Sequence, residues 1–355
     1  VKVASIRQAL LSWYDVAARD LPFRRTRDPY AIWVAEVMLQ QTRVETVLPY
    51  YERFLSRWPS AQALADAPLD DVLAAWSGLG YYRRARLLHA GARHVRDVHG
   101  GTIPDDLEAI RAIPGVGAYT SGAIASQAFD RAAPLVDGNV ARVLARVAPI
   151  ETDVKKGPGL SRAWQLAGAL VEGPRPGALN NALMELGATI CVPREPRCLL
   201  CPIAGECEGR RRGIARSLPI VTEKKARPRI VERAVILREG TGIVLVRRSA
   251  AGLFAGLWEP PRVTAKSVDE ARAAIEAILG VEIEIESSPV RTVEHVLTHR
   301  HLEITVHEGR IARRPSAVAE GAYDAVEIVA IEGLGRRERA ARGMATLGRK
   351  ILGLR

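Results

Sequence analysis

The sequence predicts two structural classes in one chain: a mainly α-helical part over residues 1–213 and, beyond a linker at 214–229, a smaller α+β domain over 230–355. Three observations carry this. Apolar residues recur at helical spacing, segment after segment, to about residue 190. All four cysteines of the chain, Cys191, Cys198, Cys201 and Cys207, follow within one short stretch. After Arg229 the pattern changes to short β-branched runs separated by turn residues.

In chain order, helical periodicity covers Ser5 to Ala18, Pro29 to Leu39 (apolar nearly all round), Arg43 to Trp58, Leu69 to Trp76 and Arg83 to Val98, punctuated by Pro59, Pro68, Pro104, Pro114 and Pro134. Two further helical segments flank Pro114-Gly115-Val116-Gly117, and another runs from Ala141 to Val147. Basic runs at Arg210-Arg211-Arg212 and Lys224-Lys225 mark the linker as solvated. Val231 to Leu237 and Ile243 to Val246 then flank Glu239-Gly240-Thr241-Gly242 as hairpin strands flank a turn. A helix is expected over Val268 to Leu279, with strands at Val281 to Ile285 and Leu302 to Val306.

At 48% hydrophobic and 26% charged residues, the 355-residue chain has the composition of an ordinary globular protein and not of a disordered one. No apolar run approaches the roughly 20 residues that span a bilayer, and the first residues show no signal-peptide core, so the expected compartment is the cytoplasm. The net charge of +11 favours a polyanionic partner, most simply nucleic acid.

Four cysteines at spacings x6, x2 and x5 suit convergence on one metal centre better than a disulfide framework. Only Cys198 and Cys201 form a close Cys-x-x-Cys pair; by spacing alone, an iron–sulfur cluster and zinc stand near parity. In Ile113-Pro-Gly-Val-Gly117 the two glycines permit positive φ and leave the backbone bare, so amides at the next helix's start can meet a phosphate. Glu36, among apolar neighbours on its helix, is expected to be desolvated, and a raised carboxyl can act as a general acid; by itself the residue reads first as a glutamate paired with an arginine. Asp137, just before a helix, reads by itself first as an N-cap or turn aspartate. Tyr81 and Tyr82 precede Arg83 and Arg84, aromatics beside guanidinium groups, a pattern that serves either a helical core or base wedging.

Taken together, the cysteine spacing, the helix-hairpin-helix and the downstream aspartate resemble the endonuclease III superfamily of DNA glycosylases, which carry a [4Fe–4S] cluster. Within it, Glu36-Val-Met-Leu-Gln-Gln-Thr42, Gly78-Leu-Gly-Tyr-Tyr82, Val136-Asp-Gly-Asn-Val140 and Met184-Glu-Leu-Gly-Ala188 resemble the MutY-type adenine DNA glycosylase family. The resemblance spans about residues 5 to 310. It implies a monomeric, two-lobed helix-hairpin-helix glycosylase with an iron–sulfur subdomain, acting on double-stranded DNA that carries adenine opposite 8-oxoguanine or guanine. It further implies Glu36 as general acid and base, Asp137 as stabiliser of the cationic sugar, and Tyr119 and Asn139 as their orienting partners. Arg24, Leu39 and Asn181 would line the adenine pocket. Gln40, Gln41, Tyr81, Gly115, Val116 and Gly117 would contact DNA, and the four cysteines would hold the cluster.

A sister activity, the glycosylase/lyase, needs a lysine amine just after the hairpin, but no lysine occurs between Lys2 and Lys155. A monofunctional enzyme is therefore expected. The segment Gly252-Leu-Phe-Ala-Gly-Leu-Trp-Glu-Pro-Pro261 resembles the Nudix-like module of the same family, which reads 8-oxoguanine. The helix that holds magnesium in Nudix hydrolases here keeps one glutamate, Glu276, so the module is expected to bind and not to hydrolyse. Two positions depart from the family: the lesion-reading Phe-Ser-His loop is Leu297-Thr298-His299, and Asn181 stands where Gln or Glu is usual. The rival readings are a glycosylase of this fold with relaxed base choice and a non-catalytic iron–sulfur DNA-binding or redox-sensing protein. A pure binder would need neither carboxylate.

Overall fold

The computed structural model describes residues 2–222, 226–249, 252–297, 299–313, 323–330 (backbone only) and 343–354. The chain divides into two compact units, one formed by residues 1–66 and 87–224, the other by 67–86 and 225–355.

The first unit is helical. Its elements are α1 (Val3–Ala17), a 3-10 turn (Pro22–Arg24), α2 (Pro29–Leu39), α3 (Val44–Arg57), α4 (Ala61–Ala65), most of α6 (Arg83–His99), α7 (Leu107–Ala112), α8 (Ala118–Phe129), α9 (Gly138–Val147), α10 (Gly157–Val171) and α11 (Pro176–Thr189). Two further 3-10 turns (Cys198–Leu200 and Ala204–Glu206) and α12 (Glu208–Arg211) follow. Asp28 caps α2 through the amide of Tyr30, with Pro29 at the first helical position. Nine consecutive α2 residues, Tyr30 to Met38, are buried, as an all-round apolar helix must be. One core gathers Ile6 and Leu10 of α1, Val140, Val143 and Leu144 of α9, and Leu179, Leu183 and Leu186 of α11.

The second unit takes in α5 (Leu69–Ala75) and the start of α6 with the later residues. Its sheet comprises β1 (Arg229–Glu239), β2 (Gly242–Arg248), β3 (Trp258–Glu259), β4 (Arg262–Val263), β5 (Glu282–Ile285), β6 (Arg291–Val296), β7 (His301–Arg313) and β8 (Tyr323–Ala330), with α13 (Val268–Leu279) and α14 (Thr346–Leu352). The main strand order is β3-β2-β1-β7-β5, with β4 on β1, β6 on β7 and β8 on β2. β1 and β7 run parallel, Arg229 opposite His301; β1 and β2 form the expected hairpin, Glu239 opposite Gly242. Period-2 alternation sends Val235, Leu237, Val244 and Val246 toward Ile275 and Leu279 of α13, and Ala234, Ile236, Ile243 and Leu245 toward Leu347 and Ile351 of α14. The expected α13 boundaries match. β3, β4, β6, β8 and α14 have no counterpart in the sequence reading; β3 and β4 are two residues long and β6 is mostly polar, too little for a readable period.

Candidate active site

Glu36 lies one turn before the end of α2 and is 4% exposed. Both its oxygens are engaged: the Tyr119 hydroxyl donates to Oε2 at 2.5 Å, and the Gln127 amide donates to Oε1 at 3.3 Å. Tyr119 and Gln127 lie two turns apart on α8, so one helix face presents both donors. Burial raises the Glu36 pKa; these two hydrogen bonds and Arg24 oppose the rise, and the nearby Asp137 charge adds to it. No ion pair to an arginine forms at this carboxyl among the described residues, so burial and the two hydrogen bonds act first on its proton and the Asp137 and Arg24 charges after them.

Asp137 is the N-cap of α9: its Oδ1 accepts from the Val140 amide at 2.7 Å and its Oδ2 from the Asn139 side chain at 3.1 Å. The N-cap reading of this aspartate is met. Burial raises its pKa, against the hydrogen bonds from Val140 and Asn139 and the charge of Arg142. Asn139 is fixed in turn by Arg142, which donates to its Oδ1 at 2.8 Å and also to the carbonyls of Gly187 and Cys191, each at 2.7 Å. A side chain at Gly187 would place its Cβ 2.6 Å from that of Asn139, which explains the glycine in the Met184–Ala188 string.

Arg24 is not free to face a ligand with its whole fork. It pairs with Glu185 at 2.7 Å, bonds the Arg19 carbonyl and stacks over Tyr14. Glu185 is fully buried; burial raises its pKa, but the hydrogen bonds and charges of Arg19 and Arg24 outweigh this and bring it to about 2. Leu39 and Asn181 are half-buried. Gln40 ends α2 and reaches Thr120 of α8 at 3.4 Å; Gln41, exposed, takes φ +60°.

The hairpin joins α7 to α8. Gly115 has φ +83°, and a Cβ there would lie 2.6 Å from that of Leu87. Gly117 differs from expectation: its φ is −93°, an ordinary extended value, and a Cβ would meet nothing within 4 Å. Only Gly115 is required by conformation; Gly117 leaves the start of α8 bare. Val116 is buried.

In the second unit, Tyr81 has φ +48° and is 49% exposed, with Arg84 over its ring at 5.5 Å, whereas Tyr82 is buried with its hydroxyl 3.4 Å from the Met344 carbonyl. Tyr82 thus takes the core reading, and Tyr81 stands outside the core. Leu297 turns into the core of this unit and its amide donates to the Arg300 carbonyl at 2.8 Å, closing the β6–β7 hairpin with exposed His299 at its tip. Thr298 lies outside the described residues. Glu276 accepts from the Ile283 amide at 2.9 Å.

All four cysteines are free thiols and line one cavity with Val143, Arg146, Leu186 and Ile190. Burial pushes the Cys201 thiol up to about 11, with the other cysteines adding to the effect. Among the described residues no three metal-binding side chains stand as close as a single ion requires. A cube-shaped cluster needs less convergence, since each sulfur binds a different iron, and a four-thiol donor set around a shared cavity fits it. Arg146, 1% exposed, bonds the carbonyls of Cys191, Val192, Pro193 and Leu218 and lies 3.3 Å from the Cys191 sulfur. Sequence reasoning did not single out Gln127, Arg142, Arg146 or Glu185. For Arg142 the i+3 spacing from Asn139 was the available signal.

The helical unit, with its hairpin, paired carboxyls and cysteine cavity, defines a base-excision repair fold joined to a Nudix fold. Residues 34–165 match the family model of the HhH-GPD superfamily base excision DNA repair protein, and residues 233–352 match that of the NUDIX domain. A solved structure of a thermostable thymine-DNA glycosylase is 30% identical, with a TM-score of 0.55 over 59% of this chain and 97% of that one. Among curated relatives, human adenine DNA glycosylase is 42% identical over 74% of this chain and 58% of its own length. Rat adenine DNA glycosylase is 38% identical over 86% of this chain and 70% of its own. The chain belongs to the adenine DNA glycosylase family.

Proposed function

We propose that this chain hydrolyses the N-glycosidic bond of adenine mispaired with 8-oxoguanine or guanine in duplex DNA, after the adenine is flipped from the stack. The observation that carries the reading is a buried carboxyl, Glu36, held by two donors beside a second carboxyl at a helix N-terminus, Asp137. Protonated Glu36 gives its proton to adenine N7, so that the base leaves neutral as the C1′–N9 bond breaks. Asp137 stabilises the cationic sugar, by charge or by a transient covalent bond, and Glu36 then takes a proton from the attacking water. Tyr119 and Asn139 orient the two carboxyls. With no lysine between Lys2 and Lys155 there is no amine for a Schiff base, and the reaction ends at an abasic site.

Cys191, Cys198, Cys201 and Cys207 would hold a [4Fe–4S] cluster. Bound there, it supplies a rigid cross-link of the C-terminal loop and a redox-active centre. His299, at the tip of the β6–β7 hairpin, would read the base opposite adenine together with Thr298 of the same sequence triplet, and Tyr81 and Gln40 would enter the duplex.

The test is a gel assay on duplexes carrying A, T, U or an oxidised pyrimidine opposite 8-oxoguanine or guanine, with and without alkali. Adenine excision with strand breakage only in alkali is the expected result. Preferred excision of a pyrimidine would establish relaxed base choice, centred on the shortened Asn181. Absence of any excision would leave the non-catalytic reading.

A further inference from the structure

The motifs that identify Glu36 and its hydroxyl partner say nothing of Gln127, yet among the described residues this is one of two side chains hydrogen-bonded to that carboxyl. Gln127 projects from α8 two turns beyond Tyr119, half-buried, next to a segment from Thr120 to Ser126 that is buried throughout. A helix packed this closely has a use for an apolar residue at the edge of its buried face; a primary amide there must find polar partners. It finds Glu36.

We propose that Gln127 is a positioning residue for Glu36, one whose amide can match either protonation state of that carboxyl during the reaction. This rests on the reading of Glu36 as acid and then base. Toward the carboxylate, the amide N–H donates to Oε1, as observed. Toward the protonated carboxyl, the same group turned about its last bond offers its carbonyl as an acceptor. The Tyr119 hydroxyl can likewise donate or accept, so both oxygens stay held whether the proton is on Glu36, on adenine N7, or returned from water as its oxygen bonds to C1′. The charged and titratable groups acting on Glu36 are Tyr119 of α8, Asp137 at the start of α9 and Arg24 of the first 3-10 turn. Gln127, like the Tyr119 hydroxyl, is neutral and opposes the effect of burial without adding charge.

The test uses the full chain in single-turnover excision of adenine opposite 8-oxoguanine, with enzyme saturating, across pH. Gln127→Leu removes the hydrogen bond to the carboxylate at near-constant volume, so Glu36 should keep its proton longer and the alkaline limb of the rate should move to higher pH. Gln127→Glu puts a second carboxyl beside the first, which then share a proton, and the limb should move further in the same direction. Affinity for a duplex with a non-hydrolysable adenine nucleoside should remain that of the parent protein. A limb at the parental pH in either variant with parental DNA affinity overturns the inference, as does loss of affinity in both, which would make Gln127 a packing residue. Glu36→Gln in the same assay separates the two levels. Normal excision by that variant removes the acid assignment itself, whereas an inactive Glu36→Gln beside unshifted Gln127 variants removes only the role of Gln127.

Discussion

Two buried carboxyls cost stability, and the sign can be worked out. Glu36 and Asp137 have folded pKa values raised by burial, so the stability they contribute is fully present below the ordinary carboxylate range near pH 4 and is lost as pH rises through their folded values. Glu36→Gln should therefore melt at or above the parental temperature at pH 7, with the difference closing toward pH 4, while excision falls about 10²–10⁴-fold. Asp137→Asn should behave alike, since asparagine is as good an N-cap as aspartate. Melting curves at the two pH values, with single-turnover rates, check both; a clear fall in melting temperature at pH 7 would make these carboxyls structural. Glu185 has the opposite sign. Its folded value of about 2 lies below the ordinary range, so its contribution is present above about pH 4.5 and disappears as pH falls through 2. Glu185→Gln leaves the part-exposed Arg19 and the more buried Arg24 guanidinium groups without their buried counter-charge and should destabilise by roughly 1–3 kcal/mol at pH 7 in urea unfolding, solvent at Arg19 reducing the loss.

At the scale of the element, the α7–α8 hairpin separates conformation from recognition. Gly115→Ala forces a Cβ into Leu87 at a positive φ and should lower stability and DNA affinity together. Gly117→Ala meets open space at an extended φ, so it should fold normally and lose only DNA affinity, if bare backbone at the start of α8 is what phosphate needs. Melting and DNA titration of the two variants distinguish these outcomes. The sequence made this hairpin legible because Pro-Gly-x-Gly is local grammar. It did not reveal which glycine was conformationally required, because that depends on Leu87 of another helix. The same contrast divides the site. Glu36 and Asp137 could be singled out by their neighbours along the chain, whereas Gln127 meets Glu36 only when α8 packs on α2, and Arg142, beside its local bond to Asn139, reaches the Gly187 carbonyl only when α9 meets α11.

For the whole molecule, the alternation of β1 and β2 and the helical period of the first 190 residues made the two classes of architecture readable. The packing of residues 67–86 with the later part of the chain was not readable, since α5 has an ordinary amphipathic pattern whose buried face could sit on any apolar surface. Within that unit, Ser77 and Tyr82 bond the Met344 carbonyl and Asp70 pairs with Arg247 at 2.7 Å. A chain ending at residue 222 should then lose hydrogen-exchange protection over 69–86, which carries Tyr81, while α8, α9 and α11 keep theirs. It should also lose preference for 8-oxoguanine over guanine more than it loses excision of adenine opposite guanine. Equal loss on both substrates would reduce residues 230–355 to a stabilising role.

Arg146 bears on how such a protein is assembled. Its guanidinium is sealed from water, and its hydrogen bonds go to carbonyl oxygens and a thiol, with no carboxylate paired to it among the described residues. A lone interior cation is a debt on the native state until an anion settles beside it. Ligated cysteine thiolates would be that anion, delivered late, so maturation of this lobe and acquisition of iron should be one thermodynamic event. Cultures starved of iron should yield a chain whose Cys191–Cys207 loop is cut early by protease, and Arg146→Met should narrow the gap in protease lifetime between iron-replete and iron-starved preparations.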